Sequence, residues 1–524
     1  MPAALMHHGL ERAAHRFGDR VAVRSGDTSL SFRDLNDRST AFAGHLASRG
    51  VAPRDRVAVM TSNRPEFLIA VEAVSKLGAA AVLLSPGWKE LEVAHAIELT
   101  GPAHAIADGD AALLLAEHLD DHRVIDVDAA SSADVLFTRT RAPTGEVGDT
   151  DESVLVFSSG TTGLPKAVRH THRSIGRATA HWCASLGLGP NDRFQVATPP
   201  SHILGLLNLL AAAAAGTTVR LHRRFDLDEV LYRIATERMT LEMAVAPIAL
   251  AMANHPGLEE YDLSSLRYIM WGATPVTESV AELVTSRTGV RWLPAYGASE
   301  FPVIAANPVA DPAAWRLDSA GLPPAEVSLR VVDLDSGKVL AAGDVGEIQA
   351  RGLSVMAGYL PEAANRHAFA SGWYRTGDVG WLEPEGWVHL TDRSKEMIKV
   401  SGFQVAPAKI EAVLHGHPAV QDCAVFGVPD ERSGEVPVAA VQLEPGRRVG
   451  PGELEDLVAR SLATYKQLHE RRWHDHLGRV MVRTGAGNAA AWSRHRTMLV
   501  TICLPCSSDS RLSSVSLASS SVRR

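Results

Sequence analysis

The feature that most constrains this chain is an alternation, sustained to about residue 390, of short β-branched runs with amphipathic segments. "DRVAVMTS" (55–62), for example, is followed by "RPEFLIAVEAVSKLGA" (64–79). That is the rhythm of buried strands and the crossover helices that cover them, and it predicts α/β layers. A chain of 524 residues exceeds one ordinary core, at roughly 100–200 residues per domain. A large body with an appendage is expected. Within the body, "VSLRVVDLDSGKVLAAGDVGEIQARG" (327–352) predicts hairpins turning at Asp335-Ser336-Gly337.

Charge density rises at "TDRSKEMIKVSG" (391–402), and "KIEAVLHGHPAVQDCAVFGVPD" (409–430) opens a new helix-then-strand unit. The expected division is a large domain over 1–391, a hinge at 392–395 and a small, mobile α+β domain over 396–469. From 470 to 524 the text turns to Arg, Ser and His without a period of 3.6 or 2, so that tail is read as uncommitted to a fold.

Net charge is −8 and 46% of residues are hydrophobic, which argues against a nucleic-acid binder and against a disordered chain. The N-terminal "MPAALMHHGLERAAHRFGDR" lacks the apolar core of a signal peptide, so a cytoplasmic protein is expected. The most apolar run, Ile203–Ala215, is shorter than the roughly 20 residues that span a bilayer, and is read as a buried helix. Cys183, Cys423, Cys503 and Cys506 are scattered and give no disulfide framework.

The chemistry concentrates in "FSSGTTGLPKAV" (157–168). Val154–Phe157 reads as strand, Ser158–Lys166 as loop, and the stretch from His172, with Ile175, Ala178, Thr179 and Trp182 on one face, as helix. Glycines let backbone N–H groups approach an anion, hydroxyls add donors and Lys166 adds a cation. Alone, the loop is better read as a phosphate cradle than as a polar surface turn with incidental glycines.

It does not stand alone. "SSGTTGLPK", "WGATP" (271–275), "YGASE" (296–300), "WYRTGD" (373–378) and "DRSKEMIKVSGFQVAP" (392–407) resemble, in order and separation, motifs of the adenylate-forming superfamily of acyl-CoA synthetases, 4-coumarate ligases, luciferases and peptide-synthetase adenylation domains. The resemblance extends to about residue 469. It implies an ATP-dependent ligase that uses Mg2+, activates a small carboxylic acid as its adenylate, and transfers the acyl group to CoA.

The same resemblance assigns residues. Ser158, Ser159, Gly160, Thr161, Thr162, Gly163 and Lys166 would cradle phosphate, with Glu300 and Thr161 toward magnesium. Gly272, Ala273, Thr274, Tyr296 and Gly297 would shape the adenine slot, and Ser299 would reach the α-phosphate. Asp378 and Arg393 would hold the ribose; Lys395, Lys399 and Gln404 would meet the adenylate from the hinge side; Ser401 and Gly402 would line the pantetheine tunnel. His202 would lie between the acyl carboxylate and the thiol, so that His202, Glu300 and Lys399 act nearest the reacting groups. Ile203, Leu207, Trp271, Phe301 and Val303 would bound an acyl pocket. The "PPSHILGLL" segment holds no Asp to pair with a substrate ammonium, which favours a fatty or aryl acid over an amino acid.

One family element is missing. The small domain normally ends in a segment whose lysine bridges carboxylate and α-phosphate during adenylation, and no lysine follows Lys466 here. "SGKVL" (336–340) spells a similar string but lies in the body. After "SLATYKQLHE" the text departs as translation in a wrong frame would. A working acyl-CoA ligase, an adenylate-binding relic impaired in turnover, and an enzyme that hands acyl groups to a carrier protein all remain open.

Overall fold

The alternation at the start of the chain becomes a seven-stranded sheet, ordered Gly358–Leu360, Lys166–Thr171, Glu152–Ser158, Ala80–Leu83, Arg56–Met60, His104–Ala107 and Val124–Asp126. The computed structural model describes residues 5–129, 147–158, 165–272, 278–393, 398–400, 403–405, 407–430, 434–444, 446–461 and 497–501. Arg56–Met60 pairs in parallel with both Ala80–Leu83 and His104–Ala107. The helix Pro65–Lys76 connects the first two: Pro65 opens it at a position that needs no N–H, Glu66 and Lys76 suit its two ends, and residues from Phe67 to Ser75 are buried.

Beyond that sheet, the large unit holds two further α/β elements. Thr28–Ser31, Val21–Ser25, Thr218–Leu221 and Arg193–Val196 form one sheet, and Leu241–Ala244, Tyr268–Trp271, Trp292–Tyr296 and Ala305–Ala306 form another. The apolar run Ile203–Ala215 is a helix, buried along most of its length, as its composition requires. Ser328–Val332 pairs antiparallel with Gly346–Arg351. Their connection turns where Gly337 N donates to Asp333 O, with Gly337 at φ +67°; "SGKVL" lies in this connection.

Residue contacts divide the chain into two units, one built on residues up to Arg393 and one on residues from Ile398. Asp392 and Arg393, expected in the hinge, are the end of strand Val388–Arg393 and pair with Val379 and Asp378. The second unit is a sheet of Phe403–Val405, Ile398–Val400, Gly434–Leu443 and Val420–Asp430, with helices Pro407–His415 and Pro451–Ser461. Ile410, Leu414, Val441, Leu454 and Val458 share its core. Among the described residues, the tail departs from its reading at Thr497–Thr501, which pairs antiparallel with Gly434–Leu443. Those residues, "TMLVT", are apolar and β-branched enough to add an edge strand, a local signal that the surrounding aperiodic text obscures. Among the described residues, no helix is long and apolar enough to cross a membrane.

A buried carboxyl gives the large unit a pH signature. Glu72, on the Pro65–Lys76 helix, is 1% exposed, and its Oε2 has no hydrogen-bond partner among the described residues. Burial pushes its pKa from 4.5 to about 8, with Lys76 pulling the other way. The folded protein therefore holds this proton more tightly than the unfolded chain. The contribution is present below the unfolded pKa and lost as pH rises through the folded value. Glu72→Gln should thus be increasingly more stable than wild type between about pH 5 and pH 8.5, read as the difference in thermal midpoints; parallel curves would exclude a titrating Glu72.

Candidate active site

The glycine-rich segment has neighbours other than those its sequence reading gives. It joins two antiparallel strands, Glu152–Ser158 and Lys166–Thr171, in which Ser158 and Lys166 are register partners. The expected strand–loop–helix unit is therefore a hairpin followed by a helix. Lys166 opens the second strand rather than ending the loop. The pattern "KAVRHT" explains this: it is short, contains buried Ala167, Val168 and His170, and is stopped by Thr171, which caps the helix His172–Leu186 by accepting from Ser174 N. Ile175, Ala178 and Trp182 are buried on that helix. Ser159, Gly160, Thr161, Thr162 and Gly163 lie outside the described residues, as do Ala273, Thr274, Lys395, Ser401 and Gly402.

The Lys166 strand is the hub. On its outer side it pairs with Gly358–Leu360, placing Tyr359 opposite Val168. The Lys166 ammonium lies 5.4 Å from the centre of the Tyr359 ring, within cation–π range. The Tyr359 hydroxyl donates to Glu300 Oε1 at 2.8 Å, and Met356 N donates to Glu300 O at 2.8 Å. From the same strand, His170 Nε2 donates to Ser299 O at 2.8 Å, and its Nδ1 lies 3.0 Å from Ser174 Oγ. Burial lowers the His170 pKa to about 4, so the ring is neutral and its donor fixed.

The loop after strand Trp292–Tyr296 carries the other partners. It turns back tightly, with Phe301 N donating to Ala298 O and Ile304 N to Tyr296 O. A Cβ on Gly297 would lie 2.0 Å from Pro302 O, so no other residue fits. The Tyr296 hydroxyl donates to Asp378 Oδ2 at 2.5 Å. Asp378 follows Gly377, whose φ of +73° favours glycine, and Asp378 N donates to Thr376 Oγ1. Arg393 is the register partner of Asp378. Gly272, buried, follows Tyr268–Trp271, the strand parallel to Trp292–Tyr296. Gly272 and Gly297 thus sit at the carboxyl ends of neighbouring parallel strands, where open α/β sheets take ligands.

Tyr359 and Tyr374 belong to this network and were not singled out by the sequence. Burial, with Glu300 next in weight, holds both phenols protonated well above the usual tyrosine range. They act as donors, not acceptors of charge. Glu300 is 8% exposed; with one oxygen occupied by Tyr359, the other is a hard donor of the kind Mg2+ accepts. Among the described residues, the cluster of three side chains close enough to share a metal is His7, His8 and Glu11, not Glu300. A single carboxylate suits an ion that keeps waters and takes its remaining ligands from phosphates.

His202 caps the helix Ile203–Ala215, its Nδ1 accepting from Leu204 N at 3.3 Å. The residue is exposed, yet the protein wall around it displaces enough water to lower its pKa. Ile203, Leu207, Phe301 and Val303 are buried in the main core, whereas Trp271 packs with a second cluster and edge-on to Trp292. Lys399 and Gln404 are register partners in the small unit's strands.

A family model described as "AMP-binding enzyme" matches residues 10–360, and one described as "AMP-binding enzyme C-terminal domain" matches 409–478. The chain belongs to the AMP-binding enzyme family. The second match reaches past residue 469, where the resemblance was expected to end. Feruloyl-CoA synthase from Amycolatopsis is 35% identical over 476 residues, covering 87% of this chain and 92% of that protein. 4-Coumarate–CoA ligase 2 from Solanum tuberosum is 31% identical over 473 residues, covering 86% and 87%. Among solved structures, the amide bond synthetase McbA from Marinactinospora thermotolerans superposes with a TM-score of 0.79 at 31% identity, covering 88% of this chain and 94% of that one. The family's adenylating ligases share this two-part, mixed α/β architecture.

Lys166 ends the motif "SSGTTGLPK". Lys166→Ala should weaken ATP binding by about 1.5–3 kcal/mol, the worth of a charge-assisted contact, with the thermal midpoint little changed. Titration calorimetry with Mg-ATP measures it; unchanged affinity would remove Lys166 from the nucleotide site.

Proposed function

We propose that this chain is an AMP-forming acid–thiol ligase that activates an aryl carboxylic acid with ATP and transfers the acyl group to CoA. The observation that carries the reading is the path from Lys166 by a cation–π contact to Tyr359 and from the Tyr359 hydroxyl by a hydrogen bond to Glu300, and from the Glu300 loop through Tyr296 to Asp378. It supports a reading in which Lys166 takes phosphate, Glu300 a metal ion and Asp378 the ribose diol. The names of the two CoA ligases above support an aryl acid over a fatty acid, and the absence of Asp from "PPSHILGLL" supports either over an amino acid.

In the first half-reaction a substrate carboxylate attacks the α-phosphorus of ATP in line, forming the acyl-adenylate and releasing pyrophosphate. Lys166 and the loop hydroxyls hold the leaving phosphates, Ser299 faces the α-phosphate, and Asp378 with Arg393 holds the ribose. Positioning and charge neutralisation do most of the work. Magnesium, held by Glu300, would supply further neutralisation of the phosphates. In the second half-reaction the CoA thiol attacks the acyl carbon and AMP leaves. His202 and the Ser401-Gly402 segment are the residues we assign to that step, with Lys399 and Gln404 contributed by the small domain.

The absence of any lysine after Lys466 favours a second reading, an enzyme impaired in adenylation. A cation aimed at charge developing in the transition state is worth about 10²–10³ in rate, by analogy with a lost oxyanion donor. The thioester step begins from a formed anhydride and does not need it. We therefore expect acyl-CoA formation from synthetic 4-coumaroyl- or feruloyl-AMP plus CoA to outrun formation from the free acid plus ATP by about that factor. Equal, fast rates would show that another residue replaces the lysine. Failure of both, with ATP still bound, would favour the relic.

A further inference from the structure

The sheet that contains Val21–Ser25, Thr218–Leu221 and Arg193–Val196 carries a cavity of about 170 Å3, and none of its lining residues belongs to the candidate active site. In-register residues of parallel strands project to the same face, as do residues two apart. Arg24 is the register partner of Arg220, and Arg193 lies beside Thr218, two residues before Arg220. Three guanidinium groups therefore converge on one face, and all three line the cavity.

The acid available to them is Glu237, at the end of helix Leu227–Glu237. Its carboxylate takes Arg220 Nη2 at 2.6 Å and lies 4.0 Å from Arg24 Nε. It is also claimed from outside the cavity by Arg233 at 3.2 Å. Arg193 Nη1 donates to the Glu237 carbonyl at 3.0 Å. Arginine stays charged and offers five N–H donors, so the cavity lining carries two positive charges in excess. Thr218 and Thr236 are neutral and do not offset them; their hydroxyls donate to the carbonyls of Val21 and Tyr232.

The arrangement has a floor and a rim. The Arg220 side chain is 7% exposed, and its Nε has no hydrogen-bond partner among the described residues. The Arg24 side chain is 41% exposed and Arg193 is exposed. Like charges this close and partly out of water repel. A planar fork on an oxyanion relieves that repulsion by paired, charge-assisted bonds. The volume is below the roughly 300–1,000 Å3 of sites for drug-sized ligands, which favours a small anion over a nucleotide.

We propose that this cavity binds a small, multiply charged phosphate-class anion, either inorganic phosphate or pyrophosphate. Titration calorimetry of the full chain with each anion in turn tests this on wild type, on Arg24→Gln/Arg193→Gln and on Lys166→Ala. Saturable binding is expected in wild type and in Lys166→Ala, weakened about tenfold or more in the double glutamine variant. Partial recovery is expected in Arg24→Lys/Arg193→Lys, which keeps the charge. The tighter of the two anions identifies which one the cavity fits. Binding retained in the double glutamine variant but lost in Lys166→Ala would overturn the proposal by placing the anion at the glycine-rich loop. So would the absence of saturable binding of either anion.

Discussion

Three residues, Gly358–Leu360, hydrogen-bonded along the Lys166 strand, are the constraint on which the rest of the site depends. Their register puts Tyr359 opposite Val168, where its ring lies beside the Lys166 ammonium while its hydroxyl reaches Glu300. A shift of one residue would turn Tyr359 to the other face of the sheet. Glu300 would then lose its donor, and the lysine its aromatic partner. His170, two turns of the pleat further along the same strand from Lys166, fixes the other end of the Ser299–Glu300 peptide through Ser299 O. The strand thus holds the loop at two points.

Protonation states reinforce the geometry. Burial keeps Tyr359 and Tyr374 as phenols and His170 as a neutral imidazole, so these three enter the network as uncharged groups. Neutral donors of fixed direction aimed at carboxylates in a partly buried site need no reorganisation when a charged substrate arrives. The tight turn at Gly297 adds a second fixed point, because the chain there passes too near Pro302 O for any side chain. Glu300 and Tyr296, four residues apart, are held at the two ends of that turn.

Much of the fold was legible because it rests on local pattern. The Pro65–Lys76 helix, the buried Ile203–Ala215 helix and the turn at Asp333–Lys338 all follow from periodicity and turn chemistry. The motifs containing Lys166, Tyr296, Glu300 and Asp378 were legible through resemblance, and the structure links them by hydrogen bonds and ring contacts. What escaped was set by tertiary pairing. Lys166 begins a strand because residues 166–171 find partners on both sides, Glu152–Ser158 and Gly358–Leu360, and the second partner lies far along the chain. Tyr359 and Tyr374 carry no local signal, since a tyrosine in a strand is ordinary. The edge strand Thr497–Thr501 was hidden by the aperiodic residues around it.

The most direct test of this account is a double-mutant cycle on Mg-ATP affinity with Tyr359→Phe and Glu300→Gln. The phenylalanine keeps the ring beside Lys166 and removes only the hydroxyl that Glu300 accepts. If that hydrogen bond positions Glu300 for the nucleotide, the two substitutions should be coupled by about 0.5–3 kcal/mol, the double variant losing less than the sum of the singles. Effects that add within about 0.3–0.5 kcal/mol would mean that Tyr359 and Glu300 act independently, and would contradict the claim that pairing along the Lys166 strand assembles the site.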